Sequence, residues 1–196
     1  MFLSLPASVA LIVGSEQIIS ALFGYGSFDK LSVSNSANAL YYFGLGLPAF
    51  ALIKVFSTFF FANQDTKTPF YISLISVILN ILISIYFFKD IGFIIIPIAT
   101  TISSWFNAIM LFVFLKNKNL FNFNDLFFIK FLKILLASIL MGIFFNYLIL
   151  FFENKLIYEY NLKSVYLILS SFLSLVFYLS FSLFIKAFKY GDIKLK

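Results

Sequence analysis

The sequence predicts an all-α polytopic membrane protein with about six transmembrane helices, and three observations carry that prediction. The chain of 196 residues is 62% hydrophobic and 11% charged, with a mean hydropathy of +1.04, too apolar for a polar surface to enclose its core in water. Six apolar stretches reach the roughly 20 residues that a helix needs to cross the hydrocarbon layer: 2–23, 37–62, 69–88, 91–115, 127–152 and 163–188. Short polar connections separate them and leave no room for a separate soluble domain.

The first stretch starts without a basic region and stays apolar to Phe23, so it reads as part of a membrane span rather than as a secretory signal. It carries one carboxylate, Glu16, with no evident partner, and it ends at Gly24-Tyr25-Gly26 with Asp29 and Lys30 following.

The second stretch contains Pro48, which removes a helix hydrogen bond, and Lys54. Lys54 stands about nine residues, or roughly 13 Å, from the end of its helix at 1.5 Å per residue. It either snorkels toward the headgroups or faces a polar cavity, where it would attract an anionic headgroup. The connection that follows, Asn63-Gln64-Asp65-Thr66-Lys67-Thr68-Pro69, is expected to start the next helix with Thr68 as its cap and Pro69 at its first position.

The third stretch has Ser73, Ser76, Asn80 and Ser84 at helical spacing on one face. The fourth, entered through the tight Lys89-Asp90-Ile91-Gly92 turn, has Thr100, Ser103 or Ser104, and Asn107 on one face. Polar side chains facing hydrocarbon are costly, so these antiparallel neighbours are expected to bring their stripes together. The stripes then serve either as interhelical hydrogen bonding or as the lining of a cavity or ion site. Pro97 is expected in mid-span, freeing a carbonyl one turn before it, as an inert kink or as a hinge.

Beyond the polar stretch from Lys116 to Asp125, the segment 119–133 mixes Phe and Leu with Asn, Asp and Lys. It either lies partly flat at the membrane surface or is an ordinary loop. The fifth stretch has a small or polar seam of Ser138, Gly142 and Asn146, and the sixth has Ser171, Ser174, Tyr178 and Ser182. The remaining surface of both is Phe, Leu and Ile, suited to lipid.

Charge sets the expected orientation. All 14 basic residues are Lys, against 8 acidic ones. Alternate connections collect Lys67, Lys116, Lys118, Lys130, Lys133, Lys186, Lys189, Lys194 and Lys196 on one side, and Lys30, Lys89, Lys155 and Lys163 on the other. The lysine-rich side is expected to be cytoplasmic, and the C-terminus with it.

The lysines form no dense run interleaved with aromatics, which argues against nucleic acid as a partner. With no cysteine and no histidine, the chain has no disulfide, thiolate metal site, Cys/His nucleophilic pair or imidazole shuttle, and no metal or cofactor is expected. A membrane-embedded transferase would need acidic residues clustered at one face. Only Asp65 and Asp125 precede the tail on the cytoplasmic side, about 60 positions apart.

Taken in order, Leu5-Pro6-Ala7-Ser8-Val9-Ala10, Leu22-Phe23-Gly24-Tyr25-Gly26-Ser27-Phe28, Lys54-Val55, and Phe61-Ala62-Asn63-Gln64-Asp65-Thr66-Lys67-Thr68-Pro69 resemble the MurJ (MviN) lipid II flippases. The resemblance runs on through Asn80, the Gly92 turn and Trp105-Phe106-Asn107-Ala108, and beyond about residue 118 it continues in hydropathy alone. It implies a two-lobed transporter fold of fourteen spans, of the multidrug/oligosaccharidyl-lipid/polysaccharide exporter (MATE-like) superfamily, in which these helices would be the ninth through the fourteenth. Residues 1–118 would then be four helices of the second lobe, and 119–196 two further helices with a short tail.

The resemblance also implies a function: outward movement of lipid-linked peptidoglycan precursor across the bacterial inner membrane by alternating access, without enzymatic chemistry. Lys54 would lie toward the central cavity, the last two helices would form a groove for the polyprenyl tail, and a cation site would map onto Asn80, Thr100 and the Ile96 carbonyl. The acidic partner implied one turn after Asn80 is Ser84 here, which argues against sodium coupling. The arginine-lined cavity that the resemblance implies has no counterpart, since the chain lacks Arg. Alternating access needs two lobes around a midplane site, so the chain reads as part of a larger transporter, with a missing first lobe supplied in the same or a separate chain. Other exporters of the superfamily, which move other polyprenyl-linked glycans, and a non-transporting membrane partner are the rival readings.

Overall fold

The computed structural model describes residues 1–118 and 125–187, and every regular element among them is helical. In chain order these are α1 (Ser4–Val13), α2 (Ser15–Phe23), α3 (Lys30–Ala62), α4 (Lys67–Ile91), α5 (Ile95–Asn117), α6 (Asp125–Phe151), α7 (Glu153–Leu156) and α8 (Lys163–Phe184), with one 3₁₀ turn at Gly92–Ile94 before α5. The beginning of the segment expected at the membrane surface, 119–124, and the tail from 188 onward lie outside the described residues.

Four helical stretches are long and apolar enough to cross a membrane: Lys30–Ala62, Lys67–Asn117, Phe128–Phe151 and Lys163–Phe184. The second of these, 51 residues long, is about twice the length of a span and folds back on itself at Gly92. The proof is in its cross-links, since Asn80 bonds to Thr100 and Ser103 while Asn107 bonds to Ser73, a pairing that only antiparallel arms allow. α4 and α5 are therefore separate passages.

The first apolar stretch departs from the expected straight span. α1 and α2 meet at Gly14 with a bend of 78°, and the Phe145 ring of α6 packs against that glycine. A Cβ there would stand 2.6 Å from the ring. The break makes Ser15 and Glu16 the first turn of a new helix, where a carboxylate is favoured by the unpaired N–H groups.

Two further corrections concern prolines. α5 starts only at Ile95, so Pro97 is its third residue and not a mid-span kink. α4 starts at Lys67, so Pro69 is likewise third and Thr68 is not the cap. The first four N–H groups of a helix have no internal acceptor, so neither proline removes a bond within its helix. Only Pro48 stands beyond the first turn of its helix. Near it, the Thr101 hydroxyl donates to the Tyr42 carbonyl at 2.7 Å and the Trp105 indole N–H donates to the Leu45 carbonyl at 3.0 Å, so side chains of α5 reach the carbonyls that precede the proline.

The described residues divide into two compact units, one within Met1–Tyr41 and Asn124–Lys196, the other within Tyr42–Phe123. In the first, α1 lies along α6, with Val9 against Gly142. Ala21, Phe145, Ile149, Leu156 and Leu167 form one core cluster, and Ala137, Met141 and Tyr178 form another. In the second, Phe56 and Phe60 of α3 pack with Ile72 of α4 and with Leu111 and Leu115 of α5. The outward face of α4 is a continuous apolar surface that includes Leu74, Ile78, Leu82 and Ile85, a surface whose solvent is hydrocarbon.

Candidate functional site

The polar seam between α4 and α5 is built as the sequence pattern implies. Ser73, Ser76, Asn80 and Ser84 of α4 and Thr100, Ser103, Ser104 and Asn107 of α5 are all buried or half-buried, while Leu74, Ile75, Ile81, Ile102 and Ile109 of the same helices are exposed. The Asn80 amide donates to the Thr100 hydroxyl at 3.1 Å and to Ser103 at 3.3 Å. Thr100 in turn donates to the Ile96 carbonyl at 2.8 Å. Ser103 and Ser104 return their protons to the Thr100 carbonyl, and Ser76 returns its proton to the Ile72 carbonyl.

Asn80, Thr100 and the Ile96 carbonyl are thus brought together, as partners of one another. The Asn80 amide presents its NH₂ to this set, and the Ile96 carbonyl is taken by Thr100. Among the described residues no three acidic side chains cluster where they could hold a metal ion. A cation here would need the amide to turn its oxygen inward and would meet no negative charge, so in its present form the set does not fit one. Two polar atoms of the seam, Ser84 Oγ and Asn107 Oδ1, are shielded without a hydrogen-bond partner among the described residues.

One end of the same unit is tied by the Asp65 loop. The Asp65 carboxylate accepts the Thr68 N–H at 3.0 Å and its hydroxyl at 2.7 Å, which sets the start of α4. Lys118, at the end of α5, pairs with Asp65 at 2.5 Å and also donates to Thr68. The lysine ammonium and the two donors of Thr68 hold the Asp65 carboxyl well below the usual carboxylate range. The preceding turn places Gln64 at φ 59°, with Asp65 N–H bonded back to the Phe60 carbonyl, a helix end that passes through the left-handed region. Thr66 and Lys67 are exposed beside it. Lys54 stands apart from both groups. It is exposed on α3, flanked by Ile53 and Val55.

Sequence reasoning counted Lys163 only as a loop charge, yet it is 1% exposed. Its ammonium donates to the Gly24 and Tyr158 carbonyls, each at 2.6 Å, and lies 4.3 and 4.5 Å from the ring centres of Tyr25 and Tyr158. Neighbouring bonds reinforce this cage: Ser164 to the Ala21 carbonyl, Tyr25 to Ser164, and Tyr158 to the Phe28 carbonyl. Two carbonyls and two ring faces surround the charge. The partners lie up to 139 positions away, and no local pattern announces them. The seams of α6 and α8 also shift: Ser138 and Gly142 are buried while Asn146 is exposed, and Ser170 takes the buried place expected of Ser171.

With this geometry in hand, likeness to known proteins is informative. The family model described as "Lipid II flippase MurJ" matches residues 1–167. A probable lipid II flippase of Rickettsia prowazekii is 33% identical over 165 residues, covering 84% of this chain and 32% of that protein. One of Thermotoga maritima is 37% identical over 142 residues, covering 72% and 28%, and one of Rhizobium meliloti is 42% identical over 112 residues, covering 57% and 21%. A solved lipid II flippase in its inward closed conformation superposes with a TM-score of 0.77 at 25% identity, covering 94% of this chain and 36% of that one. The chain therefore spans between about a fifth and about a third of the length of these relatives. Matched over most of its length in sequence and in fold, the chain belongs to the lipid II flippase MurJ family.

Proposed function

We propose that these helices serve as the second-lobe portion of a two-lobed flippase that moves lipid II across the bacterial inner membrane by alternating access, transporting it without covalent chemistry. The observation that carries this reading is the agreement of the family match, residues 1–167, with a superposition that covers 94% of the chain. The remaining helices, in the same or a separate chain, complete the cavity, and the lipid-linked glycan and the surrounding lipids are its partners. The lysine-rich connections, and the C-terminus with them, face the cytoplasm.

Within this reading Lys54 supplies the cavity charge. Its support is its exposure within an apolar helix, where a lysine pointing at hydrocarbon would be costly. The Asn80–Thr100 seam acts as an interhelical clasp, since its hydrogen bonds already close on one another.

The test replaces the corresponding segment of the Thermotoga maritima flippase with residues 1–167 of this chain and measures rescue of cells depleted of their own flippase, with membrane insertion verified. Rescue is expected. An inserted chimera that neither rescues nor moves lipid II would overturn the reading. In a rescuing chimera, Lys54→Ala should impair growth without loss of protein, and unchanged growth would assign Lys54 to snorkelling. Asn80→Leu should lower thermal stability and leave cation dependence as it was, and an altered dependence would restore the cation site.

A further inference from the structure

A cavity of about 360 Å³ opens in the first unit, lined by Glu16, Gln17 and Ser20 of α2, Lys30 and Val33 of α3, Ile149 and Leu150 of α6, and residues of the α7 region including Glu153 and Tyr158. That volume falls within the range of about 300–1,000 Å³ typical of small-molecule sites. Nothing in the proposed transport cycle uses it.

Its lining has three parts. One is acidic, formed by Glu16 and Glu153. A second is Lys30, which pairs with Glu159 on its outer side and, as an ammonium with three donors, keeps others to spare. The third is apolar, formed by Val33, Ile149 and Leu150. Ser20 belongs to the acidic part: it is 6% exposed, and its hydroxyl has no hydrogen-bond partner among the described residues. A buried hydroxyl left unpaired is costly, so a donor entering the cavity would relieve it.

We propose that this cavity is a binding site for a phospholipid with a primary-amine zwitterionic headgroup, a lipid distinct from the transported substrate. The argument is charge complementarity. A primary ammonium carries three N–H donors, and Glu16, Glu153 and the Ser20 hydroxyl offer three acceptors. The phosphate that adjoins such an ammonium finds Lys30, and the acyl chains leave over Leu150 and Ile157, the exposed apolar residues of the lining.

A metal ion fits less well, because no group of three acidic residues occurs among the described residues and a lysine shares the wall. The place also suits a headgroup. Lys30 begins a spanning helix and Glu153 follows the end of another, with Tyr158 beside them, the level at which charged headgroups and tyrosines meet the membrane surface.

The bent first passage is what builds the site. Had α1 run straight through Gly14, Glu16 would sit in the middle of a span; the 78° turn places it and Ser20 beside the ends of α3 and α6. The site does not depend on which lipid-linked glycan the transporter carries.

The test uses the full chain purified in detergent and native mass spectrometry with dihexanoyl phosphatidylethanolamine, phosphatidylcholine and phosphatidylglycerol. One phosphatidylethanolamine should bind about tenfold more tightly than either other lipid, the equivalent of one charge-assisted hydrogen bond or more. Glu16→Gln/Glu153→Gln should abolish that preference. If the double variant is not monodisperse, Glu153→Gln alone, an exposed position, is read instead and should reduce the preference at least about threefold. Equal binding of the three lipids, or a preference that survives the substitutions, would overturn the proposal. Displacement of the lipid by an equal concentration of free phosphoethanolamine would likewise overturn it, since the apolar wall would then contribute nothing.

Discussion

At the scale of the residue, buried polarity in this protein is met by distant partners as well as by near ones, and Lys163 shows how much depends on the fit. Its ammonium is closed in by two carbonyls and two tyrosine rings, and Gly24 is required beside it, since a Cβ there would stand 3.2 Å from Nζ and 2.6 Å from the Ser20 carbonyl. Lys163→Met keeps the volume but leaves the Gly24 and Tyr158 carbonyls without their donor. It should destabilise the purified protein by about 2–4 kcal/mol, read as a lower midpoint of thermal unfolding in detergent. An unchanged midpoint would mean that the cage is filled by water instead. Asp65 is the opposite case, a part-exposed carboxylate whose worth depends on pH. Because Lys118 and Thr68 hold its acidity below that of the unfolded chain, its contribution is fully present above the ordinary aspartate value of about 3.9 and is lost as pH falls below it. Asp65→Asn should therefore lower the unfolding midpoint at pH 7, and the gap from the parent should narrow as the pH is taken below about 4. A gap that is the same at both pH values would remove the ion pair from the account.

At the scale of the element, the sequence announces helices better than it announces where they start, bend and touch. The stripes Ser73-Ser76-Asn80-Ser84 and Thr100-Ser103-Asn107 are legible because hydrocarbon leaves polar groups no other place than an interface, and the hydrogen bonds across α4 and α5 follow the expected register. Helix starts are less legible. Proline at the first position and proline at the third are equally tolerated by the unpaired N–H groups, so Pro69 and Pro97 could not fix the boundaries, whereas Asp65 did so by reaching the Thr68 N–H. Ser170 and Ser171 both lie within a helical step of Ser174, and only the neighbouring helices decide between them. Gly92, by contrast, carries a readable cause: φ 73° and ψ −153° is a conformation that only glycine adopts comfortably. Gly142 could be seen as part of a small-residue seam, but its partner could not be. A Cβ there would lie 2.3 Å from Val9 Cγ1, so Gly142→Ala should cost about 1–3 kcal/mol by overpacking α1 against α6. Adding Val9→Ala should return part of that loss, and a double-mutant cycle with no coupling would show that the two helices have room to part.

At the scale of the whole molecule, the direction of each passage follows from which ends are tied together. Lys30 pairs with Glu159, placing the start of α3 and the connection before α8 at one level. Asp65 pairs with Lys118, placing the end of α3, the start of α4 and the end of α5 at another. α3 itself has 33 residues, about 50 Å at 1.5 Å per residue, more than the roughly 30 Å of hydrocarbon, and is long enough to cross a membrane from end to end. α4, with 25 residues, about 38 Å at 1.5 Å per residue, is likewise long enough to cross before α5 comes back to Lys118. Lysine counting in the sequence names the Asp65 level as cytoplasmic, while the folded chain says which residues must share a side whatever the orientation. The absence of native cysteine allows a clean test with single cysteines at Gln64, Asp90 and Asn161, all exposed, labelled in intact cells with an impermeant maleimide. Asp90→Cys and Asn161→Cys should label from outside, and Gln64→Cys only after the membrane is opened. The reverse pattern would invert the orientation but keep the fold, because both ion pairs would still join the same ends. Labelling that separates Asp90 from Asn161 would instead contradict the order of crossings that hydropathy predicts, in which α5 and α6 are successive spans.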